Sequence, residues 1–355
     1  MKKNLYVDVH VLQIVPPSCI NRDDTGSPKS AVYGGVTRAR VSSQCWKKAV
    51  RDMFRDMLAS EDVGIRTKKI VDMVADEIKK IGGINAVKAA QDILKEAGLK
   101  LKEDKDKVKD MESGALFFLS PAQAKALAEL TMQKLDKKDL KKAAQKALND
   151  NPTLDIALFG RMVADDPSLN TDASAQVAHS ISTHKVNNEY DYFTALDDMS
   201  PADNAGAGML GTVEYNSSTL YRYATVAVHA LHEQLQDDTA EAVANFVNAF
   251  ICAMPTGKIN TFANRTLPSA VMVTIRKDQP INLVGAFENP VKASDNGYME
   301  GSCKALIKHA QITYKDWLDA PAVSLVIGDE LEALGDKVNL KTLLSRLQNE
   351  INDRL

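Results

Sequence analysis

Residues 34–55, GGVTRARVSSQCWKKAVRDMFR, join a glycine pair, an Arg-x-Arg strand and a Ser-Ser-Gln helix start to a basic amphipathic helix. Trp46, Ala49, Val50, Met53, Phe54, Met57 and Leu58 recur at helical spacing, so a helix over about 43–58 is expected to bury one face. Lys47, Arg51 and Arg55 stand at i, i+4 and i+8 and form a separate positive row. Seven cations between Lys29 and Arg55 face one acid, Asp52, a local balance of +6 in a chain whose net charge is -3. Positive charge gathered in this way points to a polyanion. Ser42, Ser43 and Gln44 lie where the unpaired N–H groups and the dipole of a helix start attract phosphate. Lys47, Lys48 and Arg51 follow within two turns, where they can neutralise neighbouring phosphates, and Gly34-Gly35 admits close approach of another backbone. Such contacts give affinity without reading base sequence.

Upstream, Leu5, Val7, Val9 and Val11 alternate with polar residues and predict a half-buried strand over about 4–15, ended by Pro16-Pro17. Asp8 and His10 interrupt the apolar run, so the segment does not read as a signal peptide. The stretch SCINRDDTGSPKS reads as a polar loop. Downstream, residues 67–149 turn rich in Ala, Lys, Asp and Glu with helical periodicity, broken at Gly82-Gly83, at Gly98 and at the cap pair Ser120-Pro121. This reads as an inserted helical subdomain. Strand patterns return at about 176–186 and 220–228, and the Gly/Asn/Asp-rich segment between them is expected to project as an extended hairpin or flap. A helix at about 239–253 and a strand at about 270–275 complete the order strand, helix, strand, strand, helix, strand. That α+β order is ferredoxin-like or RRM-like. A helix near 301–318, a short strand at 322–327 and a last helix from about 340 follow.

The chain has 355 residues, 45% apolar and 26% charged, as expected of a globular protein with one large or two ordinary domains. Four scattered cysteines without a C-x-x-C pair fit a reduced compartment, and no apolar run approaches the length of a membrane span. A cytoplasmic protein without membrane contact is expected. No G-x-G-x-x-G, P-loop or G-x-S-x-G spacing occurs, so neither a cofactor nor an elbow nucleophile is expected. His179 and His184 are five apart in a strand pattern, and His229-x-x-His232 lacks a third ligand, so no metal site is read. Asp23 and Asp24 are adjacent in a loop, as turn formers are, and would also suit acid-base or metal work. The RNP1 pattern is missing, so stacking of bases on the sheet face is not expected. Phe193 and Leu196 in the flap are candidates to wedge between bases or to pin the flap to a core.

The segments HVLQIVPPSCINRDD (10–24), YGGVTRARVSSQCWKKAVR (33–51), DIALFGRM (155–162), AHSISTHKV (178–186), YFTALDD (192–198), LYRYA (220–224) and FENPVKA (287–293) together resemble one family. It is the CasC backbone subunit of type I-E CRISPR Cascade complexes, a member of the RAMP superfamily. The resemblance implies a modified RRM palm with an inserted helical finger and a projecting thumb hairpin. On this chain those parts would be the palm at 1–60, the finger at 61–155, the palm's return at 156–185 and the thumb at 186–219. Residues 220–355 would supply the rest of the palm and the C-terminal elements. It further implies a non-catalytic scaffold whose copies line up head to tail in a filament along CRISPR RNA, with other Cascade subunits and target DNA as partners.

By position, the RNA contacts would be Lys29, Ser42, Gln44, Lys47, Lys48 and Arg51, with Arg38 and Arg40 added by charge. Met162 would sit at a flipped base, and Phe193, Thr194, Ala195 and Leu196 at the thumb. Lys137, Lys138 and Lys141 match a finger cluster that touches target DNA. Related RAMP subunits cut target RNA with a loop aspartate, so a nuclease acting through Asp23 or Asp24 is the alternative, and an RRM-like RNA-binding monomer is a third.

Overall fold

The computed structural model describes residues 4–103, 111–163, 166–195, 199 and 209–355. In it the alternating N-terminal segment forms the strand Tyr6–Ser18. Val7 to Leu12 are buried without interruption, so this strand is covered on both faces and not on one as its alternation predicts. Its polar positions Asp8 and His10 find partners inside the protein: Asp8 accepts from Tyr223 Oη at 2.9 Å and from the Ile281 N–H at 2.9 Å, and His10 Nδ1 meets Tyr221 Oη at 2.8 Å. The strand also runs on through Pro16-Pro17. Its ladder to Ala270–Arg276 covers only Tyr6 to Leu12, so neither proline is asked for an N–H there.

The fold is α+β, built on one central sheet. From one edge the strands run Asp336–Lys337, Val323–Ile327, Ala270–Arg276, Tyr6–Ser18, Met209–Ala227, Ser180–Ser182, Val36–Val41 and Ser30–Tyr33. The basic segment forms the helix Ser43–Met57, and Thr239–Cys252 is the helix before the strand Ala270–Arg276. The region 176–186 holds two short strands, Ala175–Val177 and Ser180–Ser182, in place of one.

The chain divides into two compact units. The first takes residues 1–50, 177–225 and 243–355. On one face of its sheet Leu220 packs with Trp46, while on the other Leu12, Tyr221, Tyr223 and Met272 pack with Phe287, Cys303 and Leu306. Arg222 shares the face of Trp46, whose ring lies 3.8 Å from its guanidinium carbon, and Nη1 donates to Gln13 Oε1 at 2.6 Å. Burial alone lowers the Arg222 pKa to about 9.

The second unit takes residues 51–176 and 226–242. Ile70, Val74 and Ile78 of helix Ile70–Lys80 pack with Ile93 and Leu94 of Ala86–Glu96, Leu127 of Pro121–Thr131 and Leu148 of Lys137–Asn149. Ser120 and Gln123 close a reciprocal capping box with proline in the first turn, as Ser120-Pro121 announces. Two small antiparallel pairs, Ile65–Thr67 with Phe117–Leu119 and Leu101–Glu103 with Met111–Ser113, belong to the same unit.

Candidate nucleic-acid interface

Gly34 and Gly35 have φ of 58° and 77° and turn the strand Ser30–Tyr33 into Val36–Val41, the geometry of a type I′ hairpin. A Cβ on Gly34 would lie 1.8 Å from the carbonyl oxygen of Glu288. The close backbone approach that the glycine pair predicts is thus made, and the backbone is the protein's own. Arg38 is fully buried beneath this turn, donating to the carbonyls of Ser182 at 2.9 Å, Phe287 at 2.9 Å and Tyr33 at 3.2 Å. Its charge is spent holding the segment that begins FENP against the hairpin, which removes it from any solvent-facing set.

Arg40, two residues on, faces outward. Its Nε donates to the Ser30 carbonyl at 3.1 Å and its Nη1 lies 3.0 Å from His179 Nδ1. Lys29 leads into the edge strand with its backbone N–H on the Asn21 carbonyl at 2.9 Å, and Arg40 N donates to the Lys29 carbonyl at 2.9 Å. Lys29 and Arg40 stand at the rim of a cleft that also presents Asn21, Asn216 and Ser218 over an apolar floor.

Ser42 caps the basic helix: its Oγ accepts from Cys45 N at 3.3 Å, and its own N–H donates to Asn21 Oδ1 at 2.9 Å. Gln44 and Lys48 are exposed and Lys47 is half-buried, with desolvation lowering the Lys47 pKa. Lys29, Arg40, Gln44, Lys47 and Lys48 therefore all belong to the first unit, around the edge hairpin and the helix start.

Arg51 is placed differently. It is buried in the second unit, where Nε meets Asp155 Oδ2 at 3.2 Å and the guanidinium carbon lies 4.4 Å from the Phe118 ring centroid. Asp155 is fully buried and also accepts from Gly64 N at 2.9 Å and Thr153 Oγ1 at 2.8 Å. The row Lys47, Arg51, Arg55 is thus not one solvated stripe; Arg55 alone of its C-terminal pair is exposed, bound to Asp52 at 3.1 Å. The helical period carries Arg51 inward against an acid more than a hundred residues away, and no local spacing shows that.

In the same unit, Gly160 takes φ 75°, after which Arg161, Met162 and Val163 alternate buried, exposed, buried. Arg161 donates to the carbonyls of Leu148 at 2.7 Å and Leu169 at 3.0 Å and to Gln123 Oε1 at 3.2 Å. Met162 is 85% exposed, an unbranched apolar side chain held out into solvent between two anchored neighbours. Lys137, Lys138 and Lys141 are exposed on the helix Lys137–Asn149, with Lys137 Nζ 3.6 Å from Glu96 Oε1.

The flap is a β-hairpin where it is described. Glu189–Ala195 pairs antiparallel with residues 209–215, and every residue of that first strand is exposed. Phe193 lies opposite Gly211, and a Cβ there would come within 2.4 Å of the ring. Phe193, Thr194 and Ala195 are at the described end of this strand; Leu196 lies outside the described residues.

Asp23 Oδ1 accepts from Thr25 Oγ1 at 2.7 Å, Thr25 N at 2.9 Å and Ser27 N at 3.0 Å, and these bonds, Thr25's hydroxyl first, hold its carboxyl below the usual range. Asp24 is exposed beside it. Among the described residues no group of three His, Cys, Asp or Glu is placed to hold a metal ion, and no helix is long and apolar enough to cross a membrane.

The sequence reading missed His179 as a partner of Arg40. That contact follows from the strand register, in which Arg40 lies opposite Ile181 and so diagonal to His179 on one face, and no local spacing shows it. His184, by contrast, is buried: its Nε2 accepts from Thr219 N at 3.1 Å and its ring stacks on Tyr298 with centroids 3.6 Å apart.

The chain thus combines an α+β sheet with cations around a helix start, a solvent-exposed hairpin and a helical second unit. A family model of the CT1975-like proteins matches residues 7–350, and the chain belongs to that family. One chain of a structure described as a CRISPR RNA-guided surveillance complex, pre-nicking, is 31% identical, superposes with a TM-score of 0.84, and is matched over 96% of this chain and 100% of that one. A chain of another CRISPR RNA-guided surveillance complex is 28% identical with a TM-score of 0.71, over 96% and 99%. These findings bear out the resemblance to Cascade backbone subunits read from the motifs. None of the curated protein sequences matches this chain.

Proposed function

We propose that this chain is a non-catalytic, oligomerising subunit that holds guide RNA in a type I-E CRISPR surveillance complex. The observation that carries the reading is the set formed by half-buried Lys29 and Arg40 at the edge hairpin and exposed Gln44 and Lys48 at the helix start, in a chain similar over almost its whole length to subunits of RNA-guided complexes. Cations beside a helix N-terminus bind phosphates whatever the base, so sequence recognition passes to pairing of guide with target. The strand order Ala270–Arg276, Tyr6–Ser18, Met209–Ala227, Ser180–Ser182, with helices after the first and third strands in chain order, supports the ferredoxin-like palm.

In this reading the exposed hairpin carrying Phe193, Thr194 and Ala195 is the thumb, and Met162 is the apolar residue beside a displaced base. Copies stack along the RNA in the cytoplasm with other subunits, and Lys137, Lys138 and Lys141 touch target DNA. The Asp23 carboxylate is engaged by its own loop, which supports a scaffold over a nuclease. The test is to purify the chain with its neighbouring gene products and sequence the bound RNA. Spacer-repeat RNA is the expected result; absence of RNA, or an unselected mixture of cellular RNA, would contradict the reading. Cutting of guide-paired RNA at regular spacing would overturn its non-catalytic part.

A further inference from the structure

His179 lies between the strands Ala175–Val177 and Ser180–Ser182, beside the Arg40 that the proposed RNA surface uses. The guanidinium only donates, so at 3.0 Å His179 Nδ1 must accept, and the neutral ring carries its proton on Nε2. That leaves an Nε2–H donor on an exposed side chain next to two cations. The charged groups facing the ring are Arg40, from the strand Val36–Val41, and Lys29, from the loop before the edge strand.

We propose that His179 belongs to the RNA-backbone surface, holding Arg40 in place while neutral and taking up a proton to become a further cation when a phosphate lies beside it. The inference rests on the RNA-binding reading. Desolvation first, then Arg40 and Lys29, lower the His179 pKa, so without a ligand the ring stays neutral at neutral pH. A phosphate placed at Arg40 and Lys29 offsets both charges and raises the proton affinity of the ring. Protonation puts a hydrogen on Nδ1, which can then no longer accept from Arg40. The guanidinium is released to turn toward the phosphate, and both side chains donate to it. By linkage, RNA binding and proton uptake at this residue reinforce one another.

The experiment measures binding of fluorescein-labelled guide RNA to the full chain at pH 5.5, 6.5 and 8.0 for the wild type, His179→Gln, His179→Ala and Lys48→Ala. Glutamine keeps an acceptor for Arg40 and cannot take up the proton. At pH 8.0, His179→Gln is expected to bind within about twofold of wild type, and His179→Ala about threefold more weakly through a misplaced Arg40. Between pH 8.0 and 5.5 the wild type should gain about threefold in affinity over His179→Gln, the size expected of one exposed ion pair. Parallel pH profiles of wild type and His179→Gln would overturn the inference. If Lys48→Ala weakens binding while the profiles stay parallel, only the role of His179 falls. If the wild type does not bind RNA, the RNA-binding reading falls with it.

Discussion

Arg51 and Asp155 meet at 3.2 Å inside the protein, with side-chain exposures of 10% and 1%. Asp155 links this contact to the Gly64 N–H and the Thr153 hydroxyl, so one carboxylate ties the middle of the basic helix to a turn and to the start of the helix Leu154–Phe159. Removing one partner of a buried ion pair leaves the other charge uncompensated, at a cost of about 3–5 kcal/mol. Arg51→Ala is therefore expected to lower the urea midpoint strongly while leaving the salt slope of RNA binding unchanged. A lower salt slope at wild-type stability would place Arg51 on the RNA instead.

The neighbours Arg161 and Met162 should behave as opposites. Arg161 is 4% exposed, its pKa is lowered to about 10 by burial, and its loss would strand the carbonyls of Leu148 and Leu169. Arg161→Ala is expected to cost about 3 kcal/mol or more in denaturant unfolding. Met162→Ala should change stability by about 0.5 kcal/mol or less, since the side chain packs on little. Its effect should appear only in assembly on guide RNA, read as a smaller or less regular complex by sizing. Equal destabilisation by the two substitutions would contradict the described alternation.

Asp8 gives a pH dependence of folding. Burial raises its carboxyl from 3.8 to about 6, against the opposing bonds from Ile281 and Tyr223. The folded protein thus holds the proton more tightly than the unfolded chain, and stability present below pH 4 is lost as pH rises to about 6, then levels off. The slope in that window is at most about 1.4 kcal/mol per pH unit for one group. Comparing thermal unfolding of wild type and Asp8→Asn across pH 4–7, the variant should lack this component. An identical slope in both would show that Asp8 does not titrate there.

What the sequence made legible follows the range of the forces involved. The basic helix and the Ser120-Pro121 cap rest on local spacing and form close to their expected bounds, whereas the flap is a hairpin where it is described, and its second strand runs unbroken from Met209 to Ala227, through the boundary expected near 219. Arg38 and Arg51 read as surface charge because a short motif cannot show that the Phe287 carbonyl or the Asp155 carboxylate waits across the fold. The polar residues Asp8 and His10 made the first strand look half-buried, when long-range partners let both be covered. The edge hairpin Ser30–Tyr33 with Val36–Val41 is half legible: its second strand and glycine turn stand in the motif, but the turn residues of SPKS run up to Ser30 and leave too short a stretch, Ala31 to Tyr33, to signal the first strand.

The central claim is that outward cations at the helix start grip RNA phosphates irrespective of base. Its most direct test is the salt dependence of guide-RNA binding for wild type, Lys48→Ala and the double variant Lys29→Ala/Lys48→Ala, each on two unrelated spacer sequences. The slope of log affinity against log salt should fall by about 0.7 for each lysine removed, equally for both RNAs. An unchanged slope, or a loss confined to one spacer, would contradict the account.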